Sequence, residues 1–528
     1  MQQNRASSGK NALLVAAGIL ASRLAGLVRD RVFAHYFGNT AAADAFRAAM
    51  KIPNLLQNLF GEGALSSSFI PVYAGLLASG DKEEARRVAR AVGSLLVLLM
   101  AVLVLAGILA TPFLIDLITP GFEGVKREQT IRMVRILFPG MGILVLSAWC
   151  LGILNSHRRF FLPYASPVVW NLAIIGALVG FGGSMQSYRL AEMVAWGAVA
   201  GSLLQFGVQL PAVLRLAGRM RPSFDAASSQ VRTVFRNFIP GAAGRGVNQL
   251  SSWVDTIIAS FLPTGAVAAL AYTQTLYLLP VSLFGMSISN AELPEMASRT
   301  GSDQAIAEHL RLRLNEAMRR ISFFIIPSMV GFWALGDSII ALVYQTGKFT
   351  RDDVIFVWAV LAGYTIGLLA STLGRLYASA FWALKDTKTP FYFATVRVAL
   401  AAGLGAFLAL PVPGWLRISP ELGLAGLTLA AGAAAWVEFS LLRRSLNRRI
   451  GGTGLQACYM AKLSFVAIGA AAPAFALKQW AADLSPLISG SMVLAVFGVL
   501  YLAGAAACNI PQSTRLLQSI FRSFPRKP

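Results

Sequence analysis

The feature that most constrains this chain is the recurrence of apolar stretches of about 20 residues or more, the length at which a helix crosses a ~30 Å hydrocarbon core. Fourteen such stretches are read, centred near residues 20, 60, 103, 143, 172, 203, 250, 280, 330, 367, 399, 430, 467 and 497. Hydrocarbon offers no water to backbone N–H and C=O groups, so a spanning segment is a helix or part of a closed barrel. Runs such as VGSLLVLLMAVLVLAGILA are continuously apolar rather than alternating, which selects helix. Hydrophobic residues make up 56% of the chain and charged residues 13%, against about a quarter charged in soluble domains. The expected fold class is an all-α polytopic membrane protein with fourteen transmembrane helices. Arg23 interrupts the first apolar stretch, and Arg29, Asp30 and Arg31 follow it, so it is read as the first membrane helix rather than a cleaved leader.

The net charge of +22 raises the question of nucleic acid, and its distribution answers it. If the N-terminus is cytoplasmic and fourteen helices alternate, 28 Lys and Arg residues fall in cytoplasmic segments and 7 in the opposite loops. That is the positive-inside pattern with both termini cytoplasmic, and it excludes nucleic acid as the reason for the basicity. Cys150, Cys458 and Cys508, like His35, His157 and His309, are scattered without metal-ligand or redox spacing, so neither metal nor other cofactor is expected. No nucleophile and base pair or phosphate loop emerges, and the chain is expected to be no enzyme.

Eleven basic residues remain inside or at the ends of the predicted helices: Arg23, Arg29, Arg31, Arg47, Lys51, Arg132, Arg135, Arg245, Arg375, Arg397 and Lys462. Five lie in the first two helices, where a cation at the bilayer centre costs at least ~2.5 kcal/mol. In ADAFRAAMKIPNLLQNLFGEGALSSSFIP, residues 43 to 71, Asp44, Arg47, Lys51, Asn54, Asn58 and Glu62 recur every three or four positions, which puts them on one stripe of a single helix. One reading is mutual neutralisation, Asp44 with Arg47 and Glu62 across helices. The other is a hydrated cavity, favoured by Pro53, which removes a helical hydrogen bond, and by the small polar run after Gly61. Ser22 and Arg29, and Arg23 and Asp30, are seven apart, giving the first helix a charged face as well. Two cationic helices with few acids describe an anion-attracting cavity in which arginine binds phosphate bidentately.

The string RDRVFAHYFGNTAAADAF from Arg29 resembles VDTIIASFLPTGAVAALAY from Val254, with Asp30 over Asp255. Pro53 and Pro71 are echoed by Pro280 and Pro294. Helices 1 and 2 are thus read as relatives of helices 7 and 8, in two parallel six-helix repeats of the kind that rocking transporters use. The expected domains are an N-lobe over 1–222, a C-lobe over 223–450, a helix pair over 451–510 and a basic cytoplasmic tail over 511–528.

SRLAGLVRDRVFAHYFG (22–38), the stretch 43–73, YQTGKFT (344–350) and ALKDTKTP (383–390) resemble the MurJ (MviN) lipid II flippases of the multidrug/oligosaccharidyl-lipid/polysaccharide exporter superfamily, over nearly the whole chain. The resemblance implies two six-helix lobes around a central cavity, a lipid-tail groove on the last two helices, and alternating access. It implies transport of undecaprenyl-pyrophosphate-linked muropeptide from the cytoplasmic to the outer leaflet of the bacterial inner membrane. Membrane lipids and the peptidoglycan synthesis machinery are the implied partners. Arg23, Arg29, Asp30, Asp44, Asn54 and Glu62 match positions the family uses in and around its cavity. Gln57 and Thr275 stand where well-studied members carry arginines that help hold the pyrophosphate. Arg47 and Arg245 are expected to relocate that charge, with Lys51 and Asp255 completing the substrate-binding set; the alternative is that both arginines face headgroups or pair with Asp44 and Asp255. Some members bind sodium through an acid on helix 7 with ligands on helices 11 and 12. Asp255 would supply the acid, but TVRVALAAGLGAFLAL lacks the remaining ligands, so no sodium site is expected.

Two alternatives share this fold. A flippase for another undecaprenyl-pyrophosphate oligosaccharide fits every residue-level observation, whereas a drug/cation antiporter requires acids to dominate the cavity, and helices 1 and 2 carry the opposite sign. The expected mechanism is rocking between inward-open and outward-open states, with the helix-like segment 302–320 as a gate, driven by contacts that the headgroup makes in one state only.

Overall fold

The computed structural model describes residues 2–514 except 219–221, 224, 226–227 and 299–301, and over 2–13 and 239–251 it describes the backbone alone. Among the described residues every regular element is a helix. Packing divides the chain into two compact units, Met1–Ala268 and Ala269–Pro528.

The first unit contains α1 (Gln2–Phe37), α2 (Ala41–Lys51), α3 (Asn54–Phe60), α4 (Glu62–Ala78), α5 (Lys82–Ile118), α6 (Gly124–Ser156), α7 (Phe161–Ala165), α8 (Pro167–Phe181), α9 (Ser187–Ala217) and α10 (Ser229–Ser260), and α11 (Ala266–Pro280) starts at its end. The second continues with a π-helical turn (Val281–Met286), α12 (Ser287–Ala297), α13 (Asp303–Ala334), α14 (Gly336–Tyr344), α15 (Arg351–Ile366), α16 (Leu368–Ala383), α17 (Lys388–Ala409) and α18 (Pro411–Leu416). A short 3₁₀ turn (Pro420–Leu422), α19 (Gly423–Ile450), α20 (Ala457–Trp480) and α21 (Pro486–Ala507) complete it. The contact boundary falls after residue 268 because α10 packs on α3, α4 and α5. Phe238 stacks on Phe60 at 5.8 Å and joins Val231 and Val234 in the core that Phe69, Leu96 and Trp149 build.

Among the described residues nine helices are long and apolar enough to cross a membrane, or up to eleven if α13 with α14, bent by 82°, and α15 with α16, bent by 43°, each form one span. Length and apolarity alone therefore do not return the expected fourteen. The expected stretches outside that count are α1, α10, and α2 to α4, whose breaks leave helices of 11, 7 and 17 residues.

The polar stripe was expected on one helix and lies on three. Asp44, Arg47 and Lys51 are on α2, Asn54, Gln57 and Asn58 on α3, and Glu62 opens α4. Pro53 has no N–H to continue the first ladder. The second break depends on Gly61, at φ −79° and ψ −143°, where an added Cβ would lie 2.3 Å from the carbonyl oxygen of Gln57. The helix carrying Pro280 is irregular at the matching place, passing into the π-helical turn. Segment 302–320 is likewise no separate gate element, because it forms the first turns of α13; there Arg313 and Arg320 pair with the buried Glu292 at 3.0 and 3.3 Å.

Chain ends gather in sets that alternate along the sequence. In the first unit, Asp44 bonds Lys126 and residues 265 and 268, and the Gly121 N–H donates to Ser260 Oγ. At the other ends, Arg87 grips Asp225, Ser228 donates to Glu84 and Tyr73 meets His157. In the second unit, Asp386 pairs with Arg449, and Tyr459 donates to the Arg319 carbonyl, while Asp337 joins Arg351 and Lys478. The Thr389 backbone N–H, with Arg449 alongside, holds the Asp386 carboxyl below the usual carboxylate range.

Gly61→Ala is expected to destabilise the protein by at least ~1 kcal/mol, because the added Cβ meets the Gln57 carbonyl. Gly75→Ala, on α4 with no heavy atom within 4 Å of the new Cβ, should be neutral or stabilising. Thermal unfolding of both variants in detergent checks the contrast.

Candidate functional site

Asp30 is 3% exposed within α1 and takes two arginines at once. Arg29 donates from Nε and Nη2 at 3.2 and 2.9 Å, and Arg47 from Nη1 and Nη2 at 3.3 and 3.2 Å. The guanidinium of Arg29 lies 5.3 Å from the Trp170 ring centroid, and that of Arg47 lies 4.5 Å from Phe33. Aromatic faces and one carboxylate thus orient two cations. Arg47 therefore answers to Asp30 on α1, a partner that its stripe did not suggest.

Asp44 does something else. One of its oxygens receives Lys126 Nζ at 2.7 Å and the Gly265 N–H at 2.8 Å, while the other receives the Ala268 N–H at 2.8 Å. This buried acid ties the start of α2 to the start of α6 and to the first turn of α11. Gly265 reaches it at φ +97°, with space for no Cβ beside Asn39. Lys51 donates to the Ser252 carbonyl oxygen at 2.8 Å and to Thr256 Oγ1, and Asp255 acts on it electrostatically.

Arg23, Gln57 and Glu62 line one cavity of about 250 Å³ with Ser22, Tyr164 and Gln205. Its floor is a buried amide cluster that the sequence reading missed: Gln209 Nε2 donates to Ser147 Oγ at 2.6 Å and Ser166 Oγ at 2.9 Å, and Gln205 Nε2 to Ser147 Oγ at 3.2 Å. Its sequence signal is Gln205 and Gln209 four apart in an otherwise apolar run. Asn54 is half-buried on α3. The side chain of Arg245 lies outside the described residues, as do residues 515–528 of the basic tail.

In the second unit Thr275 bonds the Ala271 carbonyl of its own helix at 3.1 Å. Its neighbours on α11 reach across: Gln274 Nε2 donates to Tyr364 OH at 3.3 Å, and Tyr277 shares a 2.7 Å hydrogen bond with Ser371. One turn beyond Ser371 on the same face of α16 stands Arg375, exposed and without an ion pair among the described residues. Arg397 pairs with Glu438 at 2.9 Å nearby, and Arg375 acts electrostatically on both Glu438 and Tyr277. The sequence marked Arg375 and Arg397 only as intramembrane cations.

A polytopic helical bundle with cations held inside its spans is the build of a membrane transporter, and those cations mark a candidate substrate path. An inward-facing multidrug resistance MATE family transporter of the MOP superfamily shares the fold, with 15% identity, a TM-score of 0.63 and coverage of 83% of this chain and 98% of that one. A structure described as the lipid II flippase MurJ in an inward closed conformation matches at 25% identity with a TM-score of 0.75, over 94% of this chain and 98% of that one. A probable lipid II flippase MurJ from Bdellovibrio bacteriovorus is 31% identical over 512 residues, 96% of this chain and 94% of the relative. The family model for the lipid II flippase MurJ matches residues 33–497, and the chain belongs to that family.

Asp44→Ala would leave Lys126 and two backbone amides without their buried acceptor. A loss of ~3–5 kcal/mol is expected, read as a lower thermal unfolding midpoint in detergent.

Proposed function

We propose that this chain flips lipid II from the cytoplasmic to the outer leaflet of the bacterial inner membrane by alternating access. The observation that carries the reading is the Arg29–Asp30–Arg47 cluster, which holds two guanidinium groups around one buried carboxylate inside the helices. Arg29 spends Nε and Nη2 on Asp30, which leaves Nη1 for a phosphate oxygen. Gln57 supplies amide hydrogen bonds instead of charge, and Arg23 and Glu62 offer polar contacts to the sugar-peptide head in the cavity they line. Asp30 positions the arginines, and Asp44, Lys51, Asp255 and Asn54 position the helices around them.

In the second unit Arg375 takes the cationic role that Thr275 lacks. The Tyr277–Ser371 contact brings its face of α16 against α11, the helix that bears Thr275. Both termini are cytoplasmic in this reading, the three polar stretches complete fourteen spans, and 1–222 and 223–450 are the two lobes followed by a helix pair over 451–510. The alternating sets of chain ends support that threading, because the basic segments 82–90, 299–320 and 443–449 fall at one kind of end. A cation-exporting antiporter is disfavoured by the sign of the cluster.

Expression of the chain is expected to rescue cells depleted of their lipid II flippase, and failure at normal membrane level overturns the reading. Arg29→Gln and Arg375→Gln should each reduce rescue at least ~10-fold in plating efficiency, each removing a charge-assisted contact. Wild-type growth from Arg375→Gln would return the cationic role to another residue.

A further inference from the structure

At the end of the second unit opposite its basic segments, a cavity of about 270 Å³ opens between the first turns of α14 and α21, the start of α15 and the end of α20. Asp337, 3% exposed, is again one acid between two cations: Lys478 Nζ lies 2.8 Å from Oδ1 and Arg351 Nη2 2.9 Å from Oδ2. Both cations line the cavity, Arg351 with half of its side chain exposed. Ser338 and Ser489 also line it, and neither hydroxyl makes a hydrogen bond among the described residues. The amide of Gln345 completes the polar wall. Net positive charge, unspent hydroxyl donors and two helix N-termini aimed at one space describe an oxyanion site.

The cavity does not stand alone. Gly490 on α21 lines it, and Leu494, the adjacent Phe497 and Gly498, and Tyr501, on successive turns of the same face, line an apolar groove of about 460 Å³. On α14, Ser338 faces the cavity and its neighbour Ile339 the groove. A polar pocket feeding an apolar channel fits an amphiphile with its head in one and its chain in the other.

We infer that the Arg351–Lys478–Asp337 pocket binds the phosphate of a lipid whose hydrocarbon chain lies in the adjoining groove. With the orientation proposed above, on which this placement rests, the pocket opens at the extracytoplasmic side. The phosphate comes from the transported polyprenyl lipid or from an anionic phospholipid of the outer leaflet, and the chemistry of recognition is the same.

Native mass spectrometry of the full-length protein in neutral detergent tests this, with phosphatidylglycerol, a polyprenyl phosphate, diacylglycerol and inorganic phosphate as separate probes. Both phosphate lipids are expected to bind, and the double variant Ser338→Ala, Ser489→Ala and the single variant Arg351→Gln to weaken both about tenfold or more. Neither variant leaves Asp337 without a cation. Gly498→Leu, whose side chain enters open space in the groove, should weaken the lipids too. Tighter binding of polyprenyl phosphate assigns the pocket to the transported lipid, and equal or tighter binding of phosphatidylglycerol assigns it to the surrounding leaflet; either supports the site. Wild-type affinity in both pocket variants, binding of diacylglycerol as tight as that of phosphatidylglycerol, or inorganic phosphate binding as tightly as the lipids overturns it. The readout contains no transport step, so failed rescue with intact lipid binding overturns the flippase reading alone.

Discussion

A carboxylate buried among apolar helices costs several kcal/mol unless cations and N–H groups surround it, and three aspartates of this protein meet that demand in three places. Asp44 receives one lysine and two backbone amides, and it closes its account locally. Asp30 and Asp337 each receive two cations, and each therefore leaves a positive remainder. The first kind of site fastens helices. The second fastens helices and also presents charge, and that difference separates the structural acid on α2 from the clusters through which an anion is recognised.

Much of the architecture was legible because lipid restricts the choices so severely. Apolar runs name most of the helices. The polar stripe of 43–71 was legible as pattern and wrong as geometry. Spacing of three and four assumes an unbroken helix, and Gly61 breaks it through a close approach to the Gln57 carbonyl that no periodicity encodes. The partner of Arg47 was hidden for a similar reason: Asp44 is three residues away in sequence, but Asp30, on another helix, is the acid that α1 turns toward it. Gln205 and Gln209 escaped notice because amides do not disturb a charge count.

The most diagnostic motifs of the second unit turn out to shape the backbone. In YQTGKFT, Gly347 adopts φ +54°, Phe349 is buried against Tyr272 and Tyr344, and Thr350 forms a capping box with Asp353. In ALKDTKTP, Asp386 accepts from the Thr389 N–H and hydroxyl while it holds Arg449. Such turns fix where α15 and α17 begin, and so where Arg351 and Arg397 stand. A motif that names a family is in this case one step removed from the chemistry.

The fold by itself is silent on cargo, since the same helical frame is shared with transporters of multidrug type. What discriminates is the sign of the charge left over after each buried acid has been satisfied. A cation substrate needs unspent carboxylate oxygens inside the spans, and three of the described acids are instead surrounded: Asp30 by two arginines, Asp337 by arginine and lysine, Glu438 by Arg397 with Arg375 acting on it. At Asp30, Asp337 and Glu438 the nearby cations outnumber the acid, and Arg29, Arg351 and Arg375 bring guanidinium donors to those sites. A polyanionic headgroup satisfies those donors, and a cation meets only repulsion, so the neutralisation pattern carries the specificity that the helices themselves do not.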